Sequence, residues 1–160
     1  MVTLSLVRID HRLIHGQVMT MWSKAYPIDH ILAIDDPLAA DPFMKEIYEM
    51  AVPSSLKVEM LSVEEAIKKW KENQFESGNY LVLIRDVETA LRAWEQGFGI
   101  HKLQVGNLVS SSSKILHKNS RLSPEHLPFL NKMQEGGVEV YVQSVPTDRQ
   151  IPISEYLQKD

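Results

Sequence analysis

The chain has 160 residues, and its 17 lysines and arginines against 21 aspartates and glutamates give a formal net charge of −4 at pH 7. This length is typical of one domain with a core large enough to fold without disulfides or metals. The lack of a basic excess argues against a nucleic-acid partner and against electrostatic attachment to a membrane surface. Cysteine is absent, which excludes disulfides, thiolate nucleophiles and cysteine zinc sites.

The N-terminal segment and the apolar runs are too short for targeting or membrane insertion. The first eight residues, Met-Val-Thr-Leu-Ser-Leu-Val-Arg, lack the apolar stretch of a signal peptide. The longest aliphatic runs, such as 81–84, fall far short of the ~20 residues that span a bilayer. We therefore expect a soluble chain, and nothing in its composition excludes the cytoplasm.

Short apolar runs alternate with helical patterns along the whole chain. Several runs are nearly continuous in isoleucine, leucine and valine, as in strands that are buried on both faces of a parallel sheet. The alternation predicts a single α/β domain over residues 1–160, a three-layer sandwich with a mainly parallel central β-sheet and helices on both faces. The predicted strands are Thr3–Ile9, His30–Ile34, Lys57–Leu61, Tyr80–Ile84, Lys102–Val105 and Val138–Val142.

Helix signals fall between these strands. A helix is expected over residues 16–25, directly after the first strand. Asp36-Pro37 and Asp41-Pro42 are competing starts for one helix that ends near residue 51, and Asp36 is a good cap for it. Three further helices are expected: after the capping box Ser62–Glu65, after a cap at Asp86, and between Ser123 and the glycine pair at 136–137.

Ligand sites in such sheets lie beyond the carboxyl ends of the strands. The densest polar segment there is residues 8–17, Arg-Ile-Asp-His-Arg-Leu-Ile-His-Gly-Gln. At the start of a helix, His15 would hold an anion on its ring against unpaired backbone N–H groups, and Gly16 would leave room for the approach. Arg12 could bind phosphate, and Asp10 could fix the tautomer of an imidazole.

These parts suit an imidazole that carries a phosphoryl group, because phosphoryl transfer depends mainly on positioning and charge stabilisation. Composition and spacing leave a second interpretation equally open, in which the segment is solvated surface and a helix cap. A metal site formed by His11 and His15, four residues apart, is disfavoured because no third ligand stands at motif spacing.

Further candidates stand at the ends of the predicted strands. Arg8 is near the end of the first strand, where we favour a salt bridge or a solvated edge over a contact with phosphate. Asp35 and Asp36 could bind Mg²⁺ or orient a group near the site, but helix capping by Asp36 is favoured. Gly106 and Asn107 follow the fifth predicted strand, beside which a loop could contact phosphate.

Residues 7–18, Val-Arg-Ile-Asp-His-Arg-Leu-Ile-His-Gly-Gln-Val, resemble the active-site signature of the enzyme IIB components of the bacterial phosphoenolpyruvate-dependent sugar phosphotransferase system, mannose/fructose/sorbose family. The resemblance covers nearly the whole chain and implies the α/β sandwich expected above. Similar segments lie at 22–24, 35–41, 103–107, 137–140 and 145–148.

The resemblance implies a definite reaction. His15 would accept a phosphoryl group on its ring Nδ1 from a phosphohistidine of the IIA component. It would pass the group to a sugar bound by the membrane IIC and IID components: mannose, fructose, sorbose, N-acetylgalactosamine or a related sugar. The positions of Arg12 and Asp10 match residues that stabilise or orient the phosphohistidine, and Gly16 and Gln17 complete the phosphate-binding signature. No metal or organic cofactor is required.

One position departs from the family pattern. Many members carry an acidic residue where this chain has His11, which adds a second candidate acceptor and, when protonated, a further charge to hold phosphate. The carrier would be cytoplasmic and peripherally associated with the membrane through the transporter components. Its oligomeric state stays open, a homo-oligomer included.

Two alternatives belong to other functional classes. A receiver-like regulatory domain needs an acidic pair after its first strand, where this chain has Asp10-His11-Arg12, and it also needs Mg²⁺. An inactive homologue would keep the fold and bind the IIA partner as a scaffold without turning over.

Overall fold

A computed structural model describes residues 1–157, and in this range seven strands form one sheet in the order β3-β2-β4-β1-β5-β6-β7. The first six strands are parallel, and β7 runs antiparallel to β6. The strands are β1 (Val2–Asp10), β2 (His30–Ile34), β3 (Lys57–Leu61), β4 (Gly78–Ile84), β5 (Lys102–Asn107), β6 (Glu139–Val142) and β7 (Ile151–Pro152).

Helices connect the strands. The chain is helical over residues 16–25, with π-helical geometry at Val18–Trp22 and a final α-helical turn, α1, at Ser23–Ala25. A 3₁₀ turn at Pro124–His126 precedes α6. The other helices are α2 (Asp36–Ala39), α3 (Pro42–Met50), α4 (Val63–Lys71), α5 (Val87–Glu95), α6 (Leu127–Glu135) and α7 (Ser154–Leu157). None of the helices within residues 1–157 has the length and apolar character needed to cross a membrane.

Two hydrophobic clusters lie on the two faces of the sheet. Side chains alternate along a strand, so Leu32 and Ile34 of β2 belong to one cluster, and Ile31 and Ala33 belong to the other. Helices α4, α5 and α6 cover the first cluster. The segment after β1, together with α2 and α3, covers the second. This arrangement confirms the predicted three-layer α/β sandwich.

The six predicted strands are all present, with ends that differ by at most two residues. The capping box predicted at the start of α4 and the Asp86 cap of α5 are confirmed. Helix α6 ends before Gly136 and Gly137, and Gly137 takes a positive φ of 105°. The sequence did not predict β7 or α7, because each is too short to produce a periodic signal. Residues 158–160 of the predicted domain lie outside the described residues.

The region between β2 and β3 differs from the expectation. The two Asp-Pro signals begin two successive helices instead of competing for one. Asp35 caps α2, because its Oδ2 accepts a hydrogen bond from the Leu38 N–H at 3.1 Å, and Asp41 caps α3 in the same way. The cap predicted at Asp36 is therefore wrong. Asp36 begins α2, and its Oδ1 accepts instead from the Val63 N–H at 2.9 Å.

Candidate functional site

The candidate site begins where β1 ends, at the centre of the sheet between β4 and β5. Two backbone hydrogen bonds shape the loop: Leu13 N–H donates to Asp10 O at 3.0 Å, and His11 N–H donates to Asn107 O at 2.9 Å. Leu13 has a φ of 55°, a left-handed conformation that costs roughly 1–2 kcal/mol for a residue with a side chain. Complete burial of the Leu13 side chain in the core offsets this strain.

A helix begins immediately after His15. The carbonyl oxygen of His15 accepts a hydrogen bond from the Met19 N–H at 3.1 Å, and the helical residues start at Gly16. The first N–H groups of a helix have no partner within the helix and attract anions. Gly16 is exposed, and an added Cβ there would meet no atom within 4 Å. The space beside the first turn is therefore open.

Asp10 is the centre of the site. Its Oδ2 lies 3.2 Å from Nε2 of His15, 3.2 Å from Nη2 of Arg12 and 3.4 Å from Nη2 of Arg8. Its Oδ1 accepts from Nε and from the backbone N–H of Arg12. Burial alone would raise the pKa of Asp10, but the hydrogen bonds from His15 and Arg12 and the charge of Arg8 hold that pKa far below its ordinary value. Asp10 is therefore ionised at neutral pH.

The ionised carboxylate sets the tautomer of His15. A carboxylate can only accept hydrogen bonds, so the nitrogen that faces Asp10, Nε2, carries the ring proton. In the neutral ring Nδ1 is then unprotonated, and within residues 1–157 it makes no hydrogen bond. The side chain is 16% exposed. The ring is thus anchored through one nitrogen, while the lone pair of the other is available.

Arg12 places a positive charge next to this ring. Its guanidinium and the His15 imidazole share Oδ2 of Asp10. The Nη2 of Arg12 also donates to Oε1 of Gln17 at 2.9 Å. Its Nη1 has no hydrogen-bond partner among the described residues. The Arg12 guanidinium is therefore held in place on one side and presents unused hydrogen-bond donors on the other.

Arg8 is 1% exposed and forms a salt bridge with Asp10, so of the two favoured interpretations the salt bridge is present and the solvated edge is wrong. Its Nη1 donates to Oε1 of Gln104, and both terminal nitrogens donate to backbone carbonyls of residues 143–144 at 3.0 Å. Gly106 makes room for this guanidinium, because an added Cβ would lie 2.2 Å from Cζ of Arg8. Gly106 therefore shapes the site through Arg8.

One pocket of about 290 Å³ lies beside the loop that follows β1, and half of the predicted site residues line it. The predicted residues in its wall are Arg8, Arg12, Gln17, Gly106 and Asn107. The rest of the wall comes from residues 119, 144, 145 and 148. The sequence analysis did not place these residues in the site: residues 145 and 148 fall in a segment similar to the family but were given no role, and residues 119 and 144 belong to no motif.

His11 and Asp35 do not line this pocket. His11 lines a second pocket, of about 520 Å³, together with Arg85. Asp35 is buried and binds Arg85 through two hydrogen bonds of 2.9 Å, and Nη1 of Arg85 donates to the His11 carbonyl at 3.3 Å. Asp35 is thus linked to the loop through Arg85, the residue directly after β4, to which the sequence analysis gave no role in the site. Within residues 1–157, no three His, Asp or Glu side chains are grouped so that they could hold a metal ion.

A mainly parallel α/β sandwich with a histidine, an aspartate and an arginine clustered beyond its central strand is the architecture expected of a IIB-type protein. The chain belongs to the family described as the PTS system sorbose subfamily IIB component, whose model matches residues 4–160. The chain is therefore a sugar-specific IIB component of the phosphotransferase system (PTS), a family of phosphotransferases in sugar transport.

Relatives with assigned names agree with this membership. The chain is 28% identical over 151 residues to the sorbose-specific EIIB component of the PTS of Klebsiella pneumoniae, which covers 94% of this chain and 92% of that protein. It is 26% identical over 157 residues to the mannose-specific EIIAB component of Escherichia coli strain K12, which covers 98% of this chain and 49% of that longer protein.

Solved structures share the fold. The crystal structure of manxB from Thermoanaerobacter tengcongensis superposes with a TM-score of 0.89 at 34% identity, covering 99% of this chain and 97% of that chain. The IIBSor domain of the sorbose permease from Klebsiella pneumoniae gives a TM-score of 0.86 at 28% identity, covering 96% of this chain and 94% of that chain. The resemblance and the α/β fold inferred from the sequence are thereby confirmed.

Proposed function

We propose that residues 1–160 form a single EIIB domain that accepts a phosphoryl group from the IIA component on Nδ1 of His15 and transfers it to a sugar. The observation that carries this proposal is the 3.2 Å contact between Nε2 of His15 and Oδ2 of Asp10. Because Asp10 is ionised, this contact assigns the proton to Nε2 and leaves the Nδ1 lone pair as the nucleophile.

In the first half-reaction, Nδ1 of His15 attacks the phosphorus of a phosphohistidine on IIA. A new N–P bond forms, the N–P bond on IIA breaks, and the departing imidazole takes back its electron pair. Charge in such transfers accumulates on the phosphoryl oxygens. The free donors of Arg12 and the N–H groups at the helix start near Gly16 stabilise this charge, with support from Gln17 and from the buried charge of Arg8.

In the second half-reaction, a sugar hydroxyl attacks the phosphorus and His15 is the leaving group. The hydroxyl proton goes to a base supplied by the membrane components, and no metal or organic cofactor takes part. Besides the sorbose- and mannose-specific relatives, the chain resembles a fructose-specific EIIB component of Bacillus subtilis and an N-acetylgalactosamine-specific enzyme IIB component of Escherichia coli. The substrate therefore belongs to this group of sugars or is closely related to them.

The partners follow from the same proposal. The mannose-specific relative carries EIIA and EIIB in one protein, which supports IIA as the phosphoryl donor. The sugar acceptor is bound by the IIC and IID components, so the carrier works in the cytoplasm and associates peripherally with the membrane. His11 lies in the phosphorylation loop, residues 11–15, but lines a different pocket from Arg12, which supports His15 as the acceptor.

The test is formation of sugar phosphate by membranes that contain IIC and IID, with phosphorylated IIA as donor. Product should form when the wild-type protein is added and not in its absence, and His15→Ala should abolish it. His11→Ala, a change in the same loop, should retain at least about a tenth of the wild-type rate. Equal product formation with His15→Ala would overturn the proposal. No transfer with any donor would favour a scaffold.

A further inference from the structure

Two asparagine side chains in the wall of the pocket of about 290 Å³ that Arg12 lines, the Arg12 pocket, have no hydrogen-bond partner among the described residues. Asn107 is the last residue of β5, and Asn119 lies in the loop that follows. Neither side-chain amide makes a hydrogen bond within residues 1–157. In the same pocket, Nη1 of Arg12 and Nε2 of Gln17 are also unpaired within that range. Four donor groups from three segments of the chain therefore border one cavity.

The loop that carries Asn119 is a fixed turn. His117 and Leu122 pair across it as an isolated antiparallel bridge. Ser120 is buried, and its N–H donates to Nδ1 of His117 at 3.2 Å. The Ser120 carbonyl accepts from the Leu108 N–H at 2.8 Å, which fastens the turn to the end of β5. The backbone on either side of Asn119 is thus fixed, although its side chain is exposed and unpaired.

This wall suits an oxyanion. Arg12 contributes a charged donor, and the amides of Asn107 and Asn119 contribute neutral ones, which is the chemistry that binds phosphate oxygens. The carboxylate of Asp148 in the same wall accepts from the Val145 N–H at 3.4 Å. Arg12 connects this pocket to His15, because its guanidinium lines the pocket and shares Oδ2 of Asp10 with the His15 ring.

We propose that Asn119 is a further phosphate-binding residue, whose side-chain amide donates a hydrogen bond to an oxygen of the phosphoryl group. This inference rests on the proposed function and extends its phosphate site to a loop about one hundred residues from the signature. A hydrogen bond to a charged oxygen contributes more than one between neutral groups. The residue is exposed, so its loss affects anion binding rather than folding.

The first test is a titration of the unphosphorylated protein with inorganic phosphate, in which binding is monitored by NMR of the side-chain amide groups. Asn119→Ala should weaken phosphate binding about tenfold. Asn119→Asp has the same shape and also suits a turn, but its charge repels an anion, so it should bind more weakly than Asn119→Ala. The matched control is Asn131→Ala on α6, whose amide bonds to Glu135 instead. This control should bind like wild type.

The second test measures the rate at which phosphohistidine is lost by hydrolysis and the rate of transfer from phosphorylated IIA. Both should change in Asn119→Ala, while its unfolding temperature stays at the wild-type value. Equal phosphate affinity in wild type and Asn119→Ala, or in the Ala and Asp variants, would overturn the inference. If IIA phosphorylates no variant but phosphate binding falls in the expected order, the proposed function fails and the oxyanion site stands.

Discussion

Nε2 of His15 lies 3.2 Å from Oδ2 of Asp10, so the ring is oriented through Nε2 and not through Nδ1, the proposed phosphoryl acceptor. Asp10 is the last residue of the central strand β1 and is fully buried. The carboxylate that orients the His15 ring is therefore held in place by the sheet. The same carboxylate binds Arg8 and Arg12, which links His15 to both nearby positive charges.

Asp10→Asn removes the common counter-ion of two arginines. Arg8 is almost completely buried, and breaking a buried ion pair costs about 3–5 kcal/mol. We expect the free energy of unfolding in urea to fall by about that amount and the phosphorylation rate to fall at least about tenfold, because the His15 tautomer is no longer fixed. Asp36→Asn is the control: Asp36 and its partner Arg92 are both half-exposed, so its effect should stay below about 1 kcal/mol. Equal losses in both variants would contradict the account.

Two glycines of the site should respond oppositely to alanine. At Gly106, an added Cβ would meet the guanidinium of Arg8 at 2.2 Å, so Gly106→Ala should lower the free energy of unfolding by about 1–3 kcal/mol. At Gly16, the added Cβ meets nothing within 4 Å, and alanine favours a helix. Gly16→Ala should therefore leave stability unchanged or raise it by up to about 1 kcal/mol. Urea unfolding of both variants checks this, and similar destabilisation of the two would refute it.

Arg85→Lys tests whether the Asp35 pair supports the phosphorylation loop. Lysine keeps the charge but cannot make both hydrogen bonds to the carboxylate or the bond to the His11 carbonyl. We expect a loss of about 1–2 kcal/mol and slower phosphorylation of His15. Arg92→Lys, at an exposed ion pair, should change stability by less than about 0.5 kcal/mol. A phosphorylation rate of Arg85→Lys equal to that of wild type would show that the pair has no role in the loop.

Stability should decrease in acid through His117. Burial lowers the pKa of His117, and the charge of Asp148 offsets this only in part. A depressed histidine pKa means that the unfolded chain binds more protons, so this stability is present above the unfolded pKa of about 6.5 and is lost as the pH falls through the folded pKa. His117→Asn keeps an acceptor for the Ser120 N–H without titrating. The stability gap between wild type and variant should therefore shrink from pH 7.5 to pH 5, and a constant gap would contradict the prediction.

Most of the fold was predictable because its strands are buried on both faces and form continuous apolar runs, as at His30–Ile34 and Tyr80–Ile84. The cap of α2 was not predictable to the residue. Asp35 and Asp36 both satisfy the local signal, and the choice depends on the Val63 N–H, which a distant part of the chain brings to Asp36. Local sequence cannot contain that contact.

The candidate site, like the fold, was predictable from the sequence only in part. Asp10, Arg12 and His15 stand within six residues of one another, so a strand followed by a helix was enough to predict that they lie together. Arg85 and Asn119 come from separate loops and belong to no motif, and only the tertiary structure brings them to the loop. Arg8 was predicted at the right place, but its burial depends on Gly106, which is far away in sequence.

The most direct test of the central claim is phosphoryl transfer from phosphorylated IIA to wild type, His15→Ala and His11→Ala. Transfer is monitored by measuring the intact mass of the protein under non-acidic conditions, and the nitrogen that carries the phosphoryl group is identified by ¹⁵N NMR of the histidine ring. Wild type and His11→Ala should each gain one acid-labile phosphoryl group, attached to Nδ1 of His15, and His15→Ala should gain none. Phosphorylation of His15→Ala but not of His11→Ala, or attachment at Nε2, would contradict the account.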